Sequence, residues 1–214
     1  MEFQEVVALR RMVRHFANEP IDRAVLERIG LTAQRAPSAG FSQGQRILIV
    51  TDPGLRQRVA QNCSERYYVE HGFGPWISEA PALFIPCVSE AIYRARYREP
   101  DKVADEAAYH ALYGQPADAD DDDDEWPVPY WWMDIGCTVM LVLLAAIDEG
   151  LAAGFVSSDD IEVLRSELGI PADFVPVGVI PVGRKLPDLR SRSLKRGWLP
   201  AAEFLRWETW GTGI

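Results

Sequence analysis

"YWWMDIGCTVMLVLLAAIDEGLAAG", residues 130–154, holds the longest apolar run of the 214-residue chain. Between Ile135 and Ile147 it is apolar almost all round, which suits a helix in the middle of a protein or in a subunit interface. A membrane span needs about 20 apolar residues. This run is closed by Asp134 on one side and by Asp148 and Glu149 on the other, so it reads as a buried helix that stops at Gly150.

Shorter signals flank it. "QRILIVTD" (45–52), "APALFIPCV" (80–88) and "FVPVGVIPVG" (174–183) are buried strands, rich in β-branched residues and bounded by turn formers. Residues 2–15 repeat Phe3, Val6, Val7, Leu9, Met12 and Val13 at helical spacing and predict a first helix. A second helix follows Pro20 and Asp22 and stops by Pro37, and a third covers 53–63. "SSDDIEVLRSELGIP" (157–171) is a capped helix ending at Gly169. Helices and a few strands in this order predict an α+β fold with a small sheet covered by helices. Residues 89–130 are an excursion: a stretch with helical tyrosine spacing, then "QPADADDDDDEWPVP", whose like charges favour a solvated loop. The tail from 185 to 214 reads as an arm lying on something. The whole is one domain, 1–214.

Composition narrows the function. Hydrophobic residues make up 48% and charged residues 25%, ordinary for a globular chain. The net charge of −10 argues against nucleic acid as a partner. No basic segment followed by an apolar stretch opens the chain, so no signal peptide is expected. Cys63, Cys87 and Cys137 are too few and too scattered for a disulfide framework or a zinc site. Cys87 and Cys137 read as packed thiols, and a reducing cytoplasm is expected. His15, His71 and His110 share no metal-like spacing, and no metal is expected. G-x-G-x-x-G, the P-loop and G-x-S-x-G are all absent.

Four elements remain. "LRRMVRHF" (9–16) gathers Arg10, Arg11, Arg14 and His15, and a second basic group holds Arg190, Arg192, Lys195 and Arg196. Two cationic groups on an acidic chain suit a small anion, above all a phosphate monoester. "RAPSAGFSQ" (35–43) is a tight turn whose backbone can approach a flat ligand, with Ser38 and Gln43 able to hydrogen-bond ring heteroatoms. "GLAAGFVSSDD" (150–160) sets small residues around Phe155.

"RRMVRHF", "APSAGFSQ", "LLAAIDEGLAAGFV", "LGIP…VGVIPVG" and "KRGWLP…W", in that order, resemble the nitroreductase family of FMN-dependent oxidoreductases. The likeness spans nearly the whole chain apart from 89–130. It implies a three-layer α/β/α fold with a small mixed sheet and a domain-swapped C-terminal arm. It also implies a homodimer with FMN in a groove at the subunit interface. Arg10, Arg11, Met12 and Arg14 would hold the phosphate and ribityl chain, and Lys195 and Arg196 would close on the phosphate. Pro37, Ser38, Ala39, Gly40 and Gln43 would line the flavin, and Phe155, Val156 and Ser157 would lie beside its ring. Met12 departs from a position that is often Ser, Phe41 from one that is usually Asn, and Ser157-Ser158 from Glu-Gly. The implied activity is ping-pong reduction of nitroaromatics, quinones or related planar acceptors by NAD(P)H. A flavin-cleaving, dehalogenating or dehydrogenating member, and a non-catalytic flavin-binding protein, are the alternatives. "PYWWMDIG" has some likeness to the flavin-cleaving branch. The segment 89–130 is then expected to be a lid over the flavin.

Overall fold

Strand β3 (Ala82–Val88) sits in the middle, and all seven of its residues are buried. Its side chains alternate, as a strand requires. Leu83, Ile85 and Cys87 enter one apolar cluster, while Ala82 and Phe84 enter the other. Both faces of the sheet therefore need cover. The computed structural model describes residues 1–113 and 128–211. The acidic run 118–125 and Trp126 lie outside these residues.

β3 pairs along its length with β2 (Gln45–Val50), from Gln45↔Val88 to Val50↔Leu83. On its other side lie β5 (Val175–Pro176) and β6 (Ile180–Lys185). β6 also carries β1 (Phe16–Ala17) and β4 (Ala152–Ala153), giving a strand order β1-β6-β3-β2. A mixed sheet was expected, yet every pairing among the described residues is antiparallel. The reason for the central pair is the connection through α3 (Pro53–Gln61) and α4 (Glu65–Glu70). It returns to the end it left, with Leu83 opposite Val50.

Helix α2 (Arg23–Ala33) and helix α7 (Tyr130–Asp148) cover one face. Leu26, Ile29, Val142, Leu143 and Ala146 pack there with Phe84, Ile180 and Val182. α3 and α8 (Ile161–Leu168) cover the other, where Val59, Ala60 and Leu164 meet Leu83 and Ile85. Each large side chain buried this way contributes about 1.5–3 kcal/mol. The three-layer α+β expectation holds. Helix starts follow their caps: Asp22 accepts from the Ala24 N–H, Asp52 from Leu55, and Asp160 from Glu162 and Val163.

Three readings need correction. The first helix, α1, runs only from Phe3 to Leu9, not to 15. Beyond Arg10 the chain is extended, because the Val13 N–H donates to the Ala153 carbonyl and Phe16 pairs with Lys185. The strand 174–183 breaks into β5 and β6, with Val177 N–H donating to Pro86 and Val179 exchanging bonds with Val156. Cys137 is exposed, while Cys63 and Cys87 are buried. It shares an uncovered stripe of α7 with Trp132, Met133, Gly136 and Met140. By length and composition α7 could cross a membrane, but half of its apolar window is buried within the protein.

The insertion forms α5 (Glu90–Tyr97) and α6 (Pro100–Tyr113). Past β6, a 3-10 turn at Arg192–Arg196 and the short α9 (Ala201–Phe204) interrupt the tail. The tail is almost wholly exposed, Trp198 at 90% and Trp210 at 87%.

Candidate functional site

The basic segment is extended and held down along its length. Arg11 sends one N–H of its guanidinium 3.1 Å to the Asp188 carboxylate and pairs with its second oxygen through the other terminal nitrogen. The Arg14 N–H donates to the same carboxylate at 3.0 Å. Burial pushes the Asp188 carboxyl up, but the Arg11 and Arg14 donors outweigh it and hold the group below the usual carboxylate range. The Arg14 guanidinium lies over the rings of Phe73 and Trp76, 5.3 and 5.8 Å from their centroids. His15 meets the Pro187 carbonyl through Nδ1 at 2.7 Å. Met12 packs against the apolar cluster beneath α2 and α7. The grouped arginines are thus in different states: Arg11 is paired and Arg14 is stacked. Arg10 has no ion pair among the described residues.

Phe155–Ser157 comes against this segment from the other side of the chain. A Cβ at Gly154 would stand 2.7 Å from the Val13 carbonyl oxygen and 2.8 Å from the Trp76 ring, so only glycine lets the two backbones approach. Val156 exchanges both backbone hydrogen bonds with Val179, at 3.0 and 2.8 Å. The Phe155 ring lies on Gly178. Ser157 is exposed, and the Ser158 hydroxyl accepts from Asn62 at 3.4 Å. Residues 10–15, 153–157 and 185–188 therefore form one patch.

The turn after α2 forms a second patch. Ser38 accepts the Gln43 N–H on its hydroxyl at 3.1 Å, closing the turn on itself. Gly40, Phe41 and Gln43 all have positive φ, at 60°, 55° and 52°. Two of the three are not glycine, and each such residue costs about 1–2 kcal/mol. Strain of this kind persists only where neighbours over-determine it. Here the Ala39 N–H donates to both oxygens of Asp134, 3.1 and 3.2 Å away, and the Gly40 carbonyl accepts from Arg96 Nε at 2.9 Å. Phe41, which stands where the resemblance has a polar residue, is 71% exposed. Beside it, a cleft of about 750 Å³ runs between α2, β2 and the turn, with Leu31, Phe41, Gln43, Arg46 and Ile92 on its walls.

Among the described residues no hydrogen bond or ion pair joins the two patches. Lys195 and Arg196 lie exposed on the 3-10 turn of the tail, without an ion pair among the described residues. Three residues of these patches escaped the sequence reading. Asp188 sits 177 positions from its partner Arg11, and Arg96 looked like one of many helical charges. Asp134 did leave a signal, a lone carboxylate at the head of an apolar run. It is buried, and burial pushes its carboxyl up while the Ala39 N–H only partly offsets this.

The chain resembles known proteins along its length. It is 43% identical over 58 residues to the 5,6-dimethylbenzimidazole synthase of Rhodobacter capsulatus. That match covers 27% of this chain and 28% of the relative's length. It is 25% identical to the iodotyrosine deiodinase of Haliscomenobacter hydrossis, over 89% of this chain and 85% of the relative. A solved nitroreductase family protein from Streptococcus pneumoniae superimposes with a TM-score of 0.70 at 19% identity, covering 97% of this chain and all of that one. One from Clostridium novyi gives 0.63 at 20% identity, covering 100% and 97%. The profile of the nitroreductase family matches residues 7–184, from the end of α1 through β6, and by that match the chain belongs to the nitroreductase family.

Proposed function

We propose that this protein is a homodimeric, cytoplasmic, FMN-dependent oxidoreductase. It takes electrons from NAD(P)H and passes them to nitroaromatics, quinones or related planar, electron-poor acceptors. The observation that carries this reading is the set of cations left over. In a chain of net charge −10, Arg10 and Arg14 of the first basic group and Arg190, Arg192, Lys195 and Arg196 of the second find no ion pair among the described residues, as do the scattered Arg35, Arg46, Arg56, Lys185 and Arg206. Cations left over in this way fit a phosphate monoester supplied from outside the chain.

The residues fit the cofactor in kind. Arg10, Lys195 and Arg196 would hold the phosphate, with Met12 and Arg14 beside the ribityl chain. Arg11, tied to Asp188, fixes the segment that carries Arg10, Met12 and Arg14. Pro37, Ser38, Ala39, Gly40 and Gln43 would offer backbone and hydroxyl groups to the flat ring, and Phe155, Val156 and Ser157 would flank it. FMN supplies the capacity to accept and return electrons, which is why the site needs no acid–base pair of its own. The protein binds, orients and shields. NAD(P)H and the acceptor would use one slot in turn, giving ping-pong kinetics.

Dimerisation is supported by surface that one chain leaves uncovered. The α7 stripe of Trp132, Met133 and Met140 is 44–55% exposed, and the tail carries Trp198, Phe204 and Trp210 into solvent. Contiguous exposed apolar side chains are a common mark of an interface. β2 is an edge strand beside the 750 Å³ cleft, where an arm from a second copy could lie. On this reading the tail is swapped between subunits and Lys195 and Arg196 travel with it. The 89–130 insertion would act as a lid over the acceptor.

A second reading is a flavin-cleaving or dehalogenating activity. It draws on the 43% identical segment shared with a dimethylbenzimidazole synthase and on the end-to-end likeness to a deiodinase. A non-catalytic flavin carrier is the third. The purified protein should be yellow and release FMN on denaturation, and it should consume NAD(P)H faster when a nitroarene is added. Flavin release without acceptor-dependent consumption would favour the second or third reading. A colourless protein that takes up no FMN would end all three.

A further inference from the structure

The turn that would line the flavin is held by two groups that the sequence does not advertise. Its two strained non-glycine residues, Phe41 and Gln43, need an outside hold. On one side Asp134, from the first turns of α7, takes the Ala39 N–H on both oxygens. On the other, Arg96 of α5 donates its Nε–H to the Gly40 carbonyl, with its side chain 18% exposed. The same guanidinium turns its remaining nitrogens to Glu99 and Asp101, at 2.9, 2.7 and 2.6 Å, and so braces the corner between α5 and α6. The Tyr97 ring closes the third side, since a Cβ at Gly40 would stand 2.9 Å from it. The Tyr97 ring packs at a tilt against Tyr93, centroids 5.0 Å apart, and Tyr93 against Trp131 of α7 at 5.3 Å. The insertion, the turn and the head of α7 thus share one polar and aromatic joint.

We propose that Arg96 and Asp134 are positioning residues, which grip the two ends of the Ala39-Gly40 dipeptide and make the α5–α6 insertion a determinant of how the turn meets cofactor and acceptor. The inference rests on the flavin reading for the last clause only. The grip itself is a property of the folded chain. A buried carboxyl group answered, among the described residues, by one backbone N–H is an expensive way to hold a turn.

The test uses four variants of the full chain: Arg96→Ala, Arg96→Lys, Asp134→Ala and Asp134→Asn. Amide hydrogen exchange is followed across 39–44, with the β3 amides as an internal reference. Loss of one grip should speed exchange across 39–44 by about tenfold, the equivalent of one hydrogen bond, and leave β3 unchanged. Asp134→Asn keeps an acceptor oxygen and should stay near wild type. Arg96→Lys keeps the charge but loses the fork and should resemble Arg96→Ala. In the flavin-loaded enzyme, Arg96→Ala should raise the KM for the acceptor several-fold, shift the flavin absorption bands and leave FMN bound. Unchanged 39–44 exchange in both alanine variants would overturn the proposal. Equal loss in Asp134→Asn and Asp134→Ala would overturn the part of Asp134. Should the protein bind no FMN, the flavin reading fails while the exchange experiment still decides the grip.

Discussion

Among the described residues Asp134 and Asp188 are both drawn out of water, and they are answered differently. Asp188, its side chain 1% exposed, receives the Arg11 guanidinium and the Arg14 N–H, and is held below the usual carboxylate range. Among the described residues the Asp134 carboxyl receives a hydrogen bond from the Ala39 N–H alone, and burial pushes it above that range. The first arrangement joins the basic segment to the root of the tail, 177 residues away along the chain. The second fixes a strained turn from the head of a core helix. Charge met by charge behaves as a fastening. Charge met by a single peptide group is a local sacrifice of stability, and such sacrifices gather where a site needs a fixed geometry.

The contrast can be broken hardest at Asp188. Asp188→Ala leaves Arg11 without its partner and the Arg14 N–H without its acceptor. A loss of about 3 kcal/mol is expected, read as a fall in melting temperature of roughly 6–12 °C. A melting temperature within a degree of wild type would show that the pair fastens nothing. A smaller loss is expected from Gly154→Ala, whose Cβ would collide with the Val13 carbonyl and with Trp76. Forcing these segments apart should cost about 1–3 kcal/mol by denaturant unfolding and weaken FMN uptake as well.

Part of this contrast was legible in the sequence and part was not. α7 and the strands β2 and β3 declared themselves, because apolar runs of the right length have few other fates, although β2 was expected to be buried and lies at the sheet edge with only Val50 of its six residues buried. The caps at Asp22, Asp52, Asp160 and Gly169 set the helix ends for local reasons. Residues 10–15 misled because Met12 and Val13 suit a helical face as well as an extended chain. What decides between them is the bond from Val13 to Ala153, which no local pattern carries. The candidate site divides the same way. That 10–15 and 153–157 form one patch follows from that long-range bond. The partners of Asp134 and Asp188 are likewise settled only by tertiary contact.

A subtler effect sharpens the comparison through pH. Asp188 has a lowered pKa in the folded chain, so its contribution is present above the ordinary carboxylate range and is lost as pH falls through the folded value. Asp134 has a raised pKa, so its contribution is full below the ordinary range and is lost as pH rises through the folded value. Three other groups at this corner are perturbed: Asp101, held down to about 2 by its bond to Arg96, Arg96 itself, raised by the same pair, and Tyr93 of α5. Burial and its bond to Tyr97 push its phenol upward, so it remains neutral across this range. Melting curves from pH 3 to pH 8 should therefore show opposite slopes for the two differences from wild type. Asp188→Asn should lose most at neutral pH and least in acid. Asp134→Asn should gain relative to wild type as pH rises. Parallel slopes would mean that the two sites are alike.

The proposed role of the cations without ion pairs, Arg10, Lys195 and Arg196 among them, is to hold the phosphate of a flavin. Equilibrium titration of the flavin-free protein with FMN and with riboflavin, which differs only by the phosphate, addresses it most directly. One FMN per chain is expected, with riboflavin bound at least about tenfold more weakly. Lys195→Ala with Arg196→Ala should remove most of that difference. Equal affinity for the two flavins, or no binding of either, would contradict it.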